Sequence, residues 1–216
     1  MKVVIAGGHG QIALALQKLL SDAGHEPVGI IRKPEQTADL EAVGSTALVL
    51  DLEHTDAGTL AVHLAGADAV VFAAGGGPNS GAARKLTVDR DGAILLADAA
   101  VAAGVRRYLM VSAIATDDFD PDSEDVFQVY LRAKSEADAD LRSRDLDWTI
   151  VRPGGLTDEA PTGLVRVAPS TGRGTVPRAD VAAVLAELLG SGSAVRVQFE
   201  LISGDSAIPE ALAALS

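Results

Sequence analysis

Three groups of residues have the types and spacing to do chemistry. The first is Gly7-Gly8-His9-Gly10-Gln11-Ile12-Ala13, which follows the apolar run Val3–Ala6 and opens a helix-like stretch. It reads as G-x-G-x-x-A from Gly8 or as G-x-x-G-x-x-A from Gly7. Both forms allow a tight turn and bring the backbone close to a pyrophosphate, whose charge is met by free N–H groups at the helix start. Glycine turns also serve packing alone. Here the turn stands at the first strand–helix junction, so Gly7, His9, Gly10, Gln11 and Ile12 are candidate dinucleotide contacts, and Ala13 keeps the helix near the sheet.

The second group closes the next three apolar runs. Ile30-Ile31-Arg32-Lys33 carries no acid at the tip of the second run. An acid there would bind a ribose 2′-hydroxyl, whereas a base accepts a 2′-phosphate. Arg32 has the planar fork for phosphate and Lys33 adds charge, so NADP(H) is expected over NAD(H). The plainer alternative is a solvated basic pair before Pro34. Asp51, beside Leu52, either caps the next segment or accepts from an adenine amino group. Ala73-Ala74-Gly75 ends the fourth run in small residues that let a cofactor lie close.

The third group is Tyr130 and Lys134. Their i, i+4 spacing places both on one helix face, within the stripe Val126, Val129, Tyr130, Ala133, Ala137 and Leu141. A tyrosine on such a stripe is by default a core aromatic. An unpaired lysine there would be costly, and a cofactor ribose would satisfy it. Its charge would lower the tyrosine's pKa. Tyr130 could then protonate a substrate carbonyl oxygen as a nicotinamide delivers hydride. Ser112 would orient that oxygen, or is simply a turn-forming hydroxyl.

These residues need a scaffold, and the chain alternates between two patterns. Strand-like runs occur at Val3–Ala6, Val28–Ile31, Ala47–Leu50, Ala69–Ala73, Tyr108–Val111, Trp148–Val151 and Val195–Leu201. Helix-like stretches occur at Gln11–Ala23, Glu35–Val43, Gly92–Ala103 and Ala179–Leu189, each followed by a glycine. The alternation predicts an α/β fold, a doubly wound parallel sheet of Rossmann type. One domain is expected over residues 1–216. The Gly/Pro-rich segment Pro153–Pro177 reads as a loop-built substrate lobe.

Composition narrows the function. With 18 Lys+Arg against 30 Asp+Glu, the net charge of −12 argues against nucleic acid and anionic membranes as partners. There is no cysteine and no run long enough for a membrane span, and the N-terminus lacks the pattern of a signal peptide. A cytoplasmic protein is the simplest expectation. The four histidines lack H-x-x-x-H spacing, so no metal site is expected. An aromatic content of 3% leaves few rings for a tightly bound FAD. Nothing in the pattern speaks to oligomeric state. The acidic run Asp117–Asp125 reads as a solvated loop feeding a helix N-terminus rather than a metal site. Its six carboxylates, between Ser112 and Tyr130, would favour a neutral or cationic small-molecule substrate.

Taken together, Gly7–Ala13, Arg32, Asp51-Leu52, Ala73-Ala74-Gly75, Val111-Ser112, Tyr130-Leu131-Arg132-Ala133-Lys134 and Thr149-Ile150-Val151-Arg152-Pro153-Gly154-Gly155 resemble the short-chain dehydrogenase/reductase superfamily, in particular its atypical short NAD(P)-binding members. The resemblance covers nearly the whole chain. It implies a nicotinamide cofactor at the carboxyl ends of the strands, with Pro153 among its contacts and Tyr130, Lys134 and Ser112 as a catalytic triad. Asp89 departs from the asparagine common in active extended relatives. The implied activity is an NADP(H)-dependent oxidoreductase reducing a small carbonyl, quinone or flavin-like acceptor. A non-catalytic, redox-sensing NADP(H)-binding regulator is the alternative.

Overall fold

A computed structural model describes residues 1–77 and 80–215. In chain order the strands are β1 (Lys2–Ala6), β2 (Glu26–Ile31), β3 (Thr46–Val49), β4 (Ala69–Phe72), β5 (Arg107–Val111), β6 (Asp147–Pro153), β7 (Gly155–Thr157), β8 (Leu164–Ala168), β9 (Thr175–Pro177), β10 (Val197–Ser203) and β11 (Ser206–Ala207). Nine of them form one sheet in the order β11-β8-β10-β6-β5-β4-β1-β2-β3. From β3 to β10 every pairing is parallel. The chain winds outward from β1 to β3, then returns to β4 on the other side of β1. That reversal leaves a crevice at the carboxyl ends of β1 and β4, where doubly wound sheets bind ligands.

Burial on both faces explains the apolar runs. In β1, Val3 and Ile5 pack with Leu16 of α1 (Gln11–Asp22). Val4 and Ala6 point the other way and pack with Phe72 and Leu96. Helices α1, α7 (Arg178–Ser191) and α8 (Ile208–Ala213) supply one layer. The opposite layer is α3 (Ala57–Leu64), α5 (Gly92–Ala103) and α6 (Val126–Arg142), and the short α2 (Thr37–Ala42) precedes β3.

Two expectations change, and α5, which keeps its expected bounds, has an unforeseen lead-in. Pro153–Pro177 is not one irregular loop, because it contains β7, β8 and β9. Strands β7 and β9 pair as a small separate sheet, and β8 joins the main sheet antiparallel to β10. Their short lengths and Gly/Pro-rich flanks hide them from periodicity. The stop expected at Gly190 lies inside α7, which ends at Gly192 with φ +64°. Upstream of α5, a one-turn α4 (Ala82–Arg84) runs into a π-helical turn over Lys85–Asp91.

Candidate active site

The glycine turn is shaped by what surrounds it. Gly7 has φ +80°, and a Cβ there would sit 2.6 Å from Ala74 Cα. A Cβ on Gly8 would meet Gly29 Cα at 2.7 Å. Gly10 starts α1 without any side-chain cap, and the first turn holds no acid. The leading N–H groups of α1 are therefore left for an anion. Gln17, fully buried, donates to the carbonyls of Gly8 (2.6 Å) and Ala13 (2.9 Å) and accepts from Ser45 Oγ (2.6 Å). This lock behind the turn has no local sequence signature.

A cleft of about 270 Å³ opens over the turn, lined by Gly7, His9, Gly10, Arg32, Lys33, Asp51, Leu52 and Ala73–Gly75. Glu53 and Arg84 also line it, and neither was legible as a site residue. Arg84 Nη1 lies 2.7 Å from Glu53, and Thr87 Oγ1 donates to the same carboxylate at 2.6 Å. Arg32 Nη1 stands farther off, at 3.7 Å, with its side chain 44% exposed. Asp51 acts as the cap: it accepts from Glu53 N and pairs with His54 Nδ1, both at 3.0 Å. Burial pushes its carboxyl up, but those partners hold it below the ordinary carboxylate value. His9 Nε2 lies 2.7 Å from Asp39.

Ala73, Ala74 and Gly75 form the shared rim of a second, larger cleft of about 700 Å³. Ile12, Ser112, Tyr130 and Lys134 all line it, so the structure brings the three catalytic candidates together. Two cofactor candidates fall elsewhere. Gln11 is exposed and lines neither cleft, and Pro153 is buried at the end of β6, where its carbonyl accepts from Ile114 N.

Three details of the triad differ from expectation. Lys134 is not an unpaired lysine awaiting a ribose. Its Nζ donates to the Val111 carbonyl at 3.1 Å, lies 3.5 Å from buried Asp89, and sits over the Phe72 ring. Asp89 in turn accepts from Gly76 N at 2.9 Å, fixing the loop after β4. The Tyr130 phenol is raised rather than lowered: burial dominates over the pull of Lys134, and Asp89 and Asp138 add to the rise. Ser112 is no simple turn hydroxyl, because its Oγ donates to Asp138 at 2.8 Å. Burial pushes the Asp138 carboxyl up, opposed by Arg152 and Ser112. Arg152 joins Asp138 to Asp117, with contacts of 2.8 and 2.6 Å.

Asp117 is therefore bound up with Arg152 and Ser135. Asp125 caps α6 through Phe127 N and Gln128 N. Of the acidic run, only Asp125 lines the larger cleft. The six-carboxylate field, from which a neutral or cationic substrate was expected, is thus represented in the cleft wall by Asp125 alone of the run.

Similar proteins bear on the family and the fold. A family model described as NAD(P)H-binding matches residues 7–191. A Bacillus subtilis protein carrying the name uncharacterized sugar epimerase YhfK is 38% identical over 213 residues, spanning 98% of this chain and 99% of its own. A solved structure from Bacillus halodurans, named for an NAD-dependent epimerase/dehydratase, superposes with TM-score 0.90 at 37% identity over 100% of both chains. The oxidoreductase ylbE of Lactococcus lactis gives TM-score 0.85 at 30% identity, covering 100% of this chain and 96% of its own.

Proposed function

The chain belongs to the NAD(P)H-binding family, and we propose that within it the protein uses NADPH to reduce a small carbonyl, quinone or flavin-like acceptor. One observation carries this reading. The phosphate-facing turn and the cleft holding Tyr130, Lys134 and Ser112 are continuous through Ala73–Gly75. A cofactor lying along that groove would have its adenosine end at Arg32 and its nicotinamide end beside Tyr130.

The residues present fit such a cofactor. Gly7 leaves open a space that a Cβ could not share with Ala74, and the uncapped start of α1 faces it. NADP(H) is favoured over NAD(H) because Arg84 already neutralises Glu53. Arg32 is then left exposed to take a 2′-phosphate, with Lys33 beside it.

When bound, the nicotinamide supplies hydride. Tyr130 keeps its proton, since burial raises the phenol, and holds it beside the cleft as a general acid. Lys134, held by Val111 and Asp89, steadies the cleft floor with a positive charge. Ser112 donates its hydrogen bond to Asp138, so its oxygen is left to accept and to orient an acceptor hydroxyl or ring N–H.

Apolar walls from Ile12, Val111, Val126, Phe127 and Leu156 favour a reductase acceptor over a sugar, which needs many hydrogen-bonding partners. The names of the Bacillus relatives point to sugar epimerisation, and that of the Lactococcus neighbour to oxidoreduction. A redox-sensing regulator draws support from the existing pairing of Lys134 and Ser112 with protein carboxylates. Steady-state NADPH oxidation across quinones, flavins, aldehydes and nucleotide sugars decides. Turnover of a quinone, flavin or aldehyde is expected. Tight NADPH binding with no turnover would refute the reductase in favour of the sensor.

A further inference from the structure

Lys85 opens the π-helical turn and projects into the larger cleft. π-turns that interrupt helices are frequent at functional positions. The residue is only 7% exposed. Its Nζ lies 5.3 Å from the centre of the Tyr130 ring and, among the described residues, makes one hydrogen bond, 2.7 Å to the Gly77 carbonyl. An ammonium has three donors, and the described residues engage one of them.

The other charges of the cleft are already matched. Lys134 faces Asp89, and Asp125 is held by the N–H groups of Phe127 and Gln128. Among the described residues no carboxylate lies within 4.0 Å of Lys85 Nζ. A nearly buried ammonium without a counter-ion is costly unless something brings one. The mouth beside it exposes Val126 (39%), Phe127 (61%) and Leu156 (38%), an apolar surface that a ligand would cover.

We propose that Lys85 binds an anionic substituent, carboxylate or phosphate, on an otherwise apolar acceptor whose body lies against Phe127, Val126 and Leu156. The assignment deepens the reductase reading and rests on it for the word acceptor. A substrate of this kind reverses the charge expected from the acidic run.

Matched probes test it by calorimetry on the NADP⁺-loaded protein: 2-naphthoate, 2-naphthyl phosphate and the uncharged 2-naphthamide. At least one anion should bind about ten- to a hundredfold more tightly than the amide, as a charge-assisted hydrogen bond implies. The tighter of the two anions names the headgroup. Lys85→Gln, whose amide can still donate to Gly77, should erase that preference while leaving naphthamide and NADPH affinities unchanged. Equal binding of all three probes by the wild-type protein would overturn the proposal, and needs no variant to be seen. So would a Lys85→Gln protein that loses NADPH affinity as strongly as anion affinity, since Lys85 would then serve the cofactor. These are equilibrium measurements. Failure of NADPH turnover would remove the reductase reading and leave the anion site standing.

Discussion

Cofactor choice should turn on Arg32, and the structure bounds how much. A charge-assisted contact to a 2′-phosphate contributes about 1.5–3 kcal/mol. The Arg32 side chain is 44% exposed, which screens the contact. Its nearest carboxylate, Glu53, is 3.7 Å away and is shared with Arg84 at 2.7 Å, so little internal pairing must be broken first. The lower end applies: Arg32→Ala should weaken NADPH binding by about tenfold. NADH binding should barely change. Glu53→Gln should act in the opposite direction, tightening NADPH by removing a negative charge from beside the phosphate. Calorimetric titrations of both cofactors into wild type and the two variants, repeated at low and high salt, provide the measurement. The NADPH loss should shrink as salt rises. Equal losses for NADPH and NADH in Arg32→Ala, or tighter NADH binding by the wild type, would refute the 2′-phosphate assignment.

Further expectations follow from the same geometry. Tyr130→Phe keeps the ring against Phe127 and removes only the proton donor, so turnover should fall about a hundredfold with NADPH affinity intact; full activity would make Tyr130 a packing residue. Gly7→Ala forces a side chain onto φ +80° and into Ala74, costing about 2 kcal/mol or more, roughly 4–8 °C in Tm, with loss of NADPH binding; an unchanged Tm would show that the turn relaxes freely. The Arg152 bridge holds the Asp117 carboxyl below its ordinary value, so its stabilisation is present above the unfolded-state pKa and is lost as pH falls through the folded one. The stability gap between wild type and Asp117→Asn, read by urea unfolding, should be full at pH 7 and close as pH falls below the ordinary carboxylate range.

Much of the fold was legible because its signals are local. The runs at Val3–Ala6 and Ala69–Phe72 are apolar on both faces, as a parallel strand under two helix layers must be. Gly7 was required by its own backbone, at φ +80°, and the turn's place after the first strand fixed its meaning, whereas the need for Gly8 came from the approach of Gly29. The i, i+4 spacing of Tyr130 and Lys134 put both into one cleft. What stayed hidden depended on neighbours far away in the chain. Glu53 and Arg84 meet beside Arg32 only because β2, β3 and β4 end at the same edge. Asp89 reaches Lys134, and Asp138 reaches Ser112 and Arg152, across layers that no periodicity records. The π-turn at Lys85 carries no propensity signal either, and it set an ammonium in the cleft. Periodicity and glycine report what each segment must bury or bend. Which charges stand opposite one another is decided by the packing of segments, and so the site's electrostatics belonged to the tertiary structure alone.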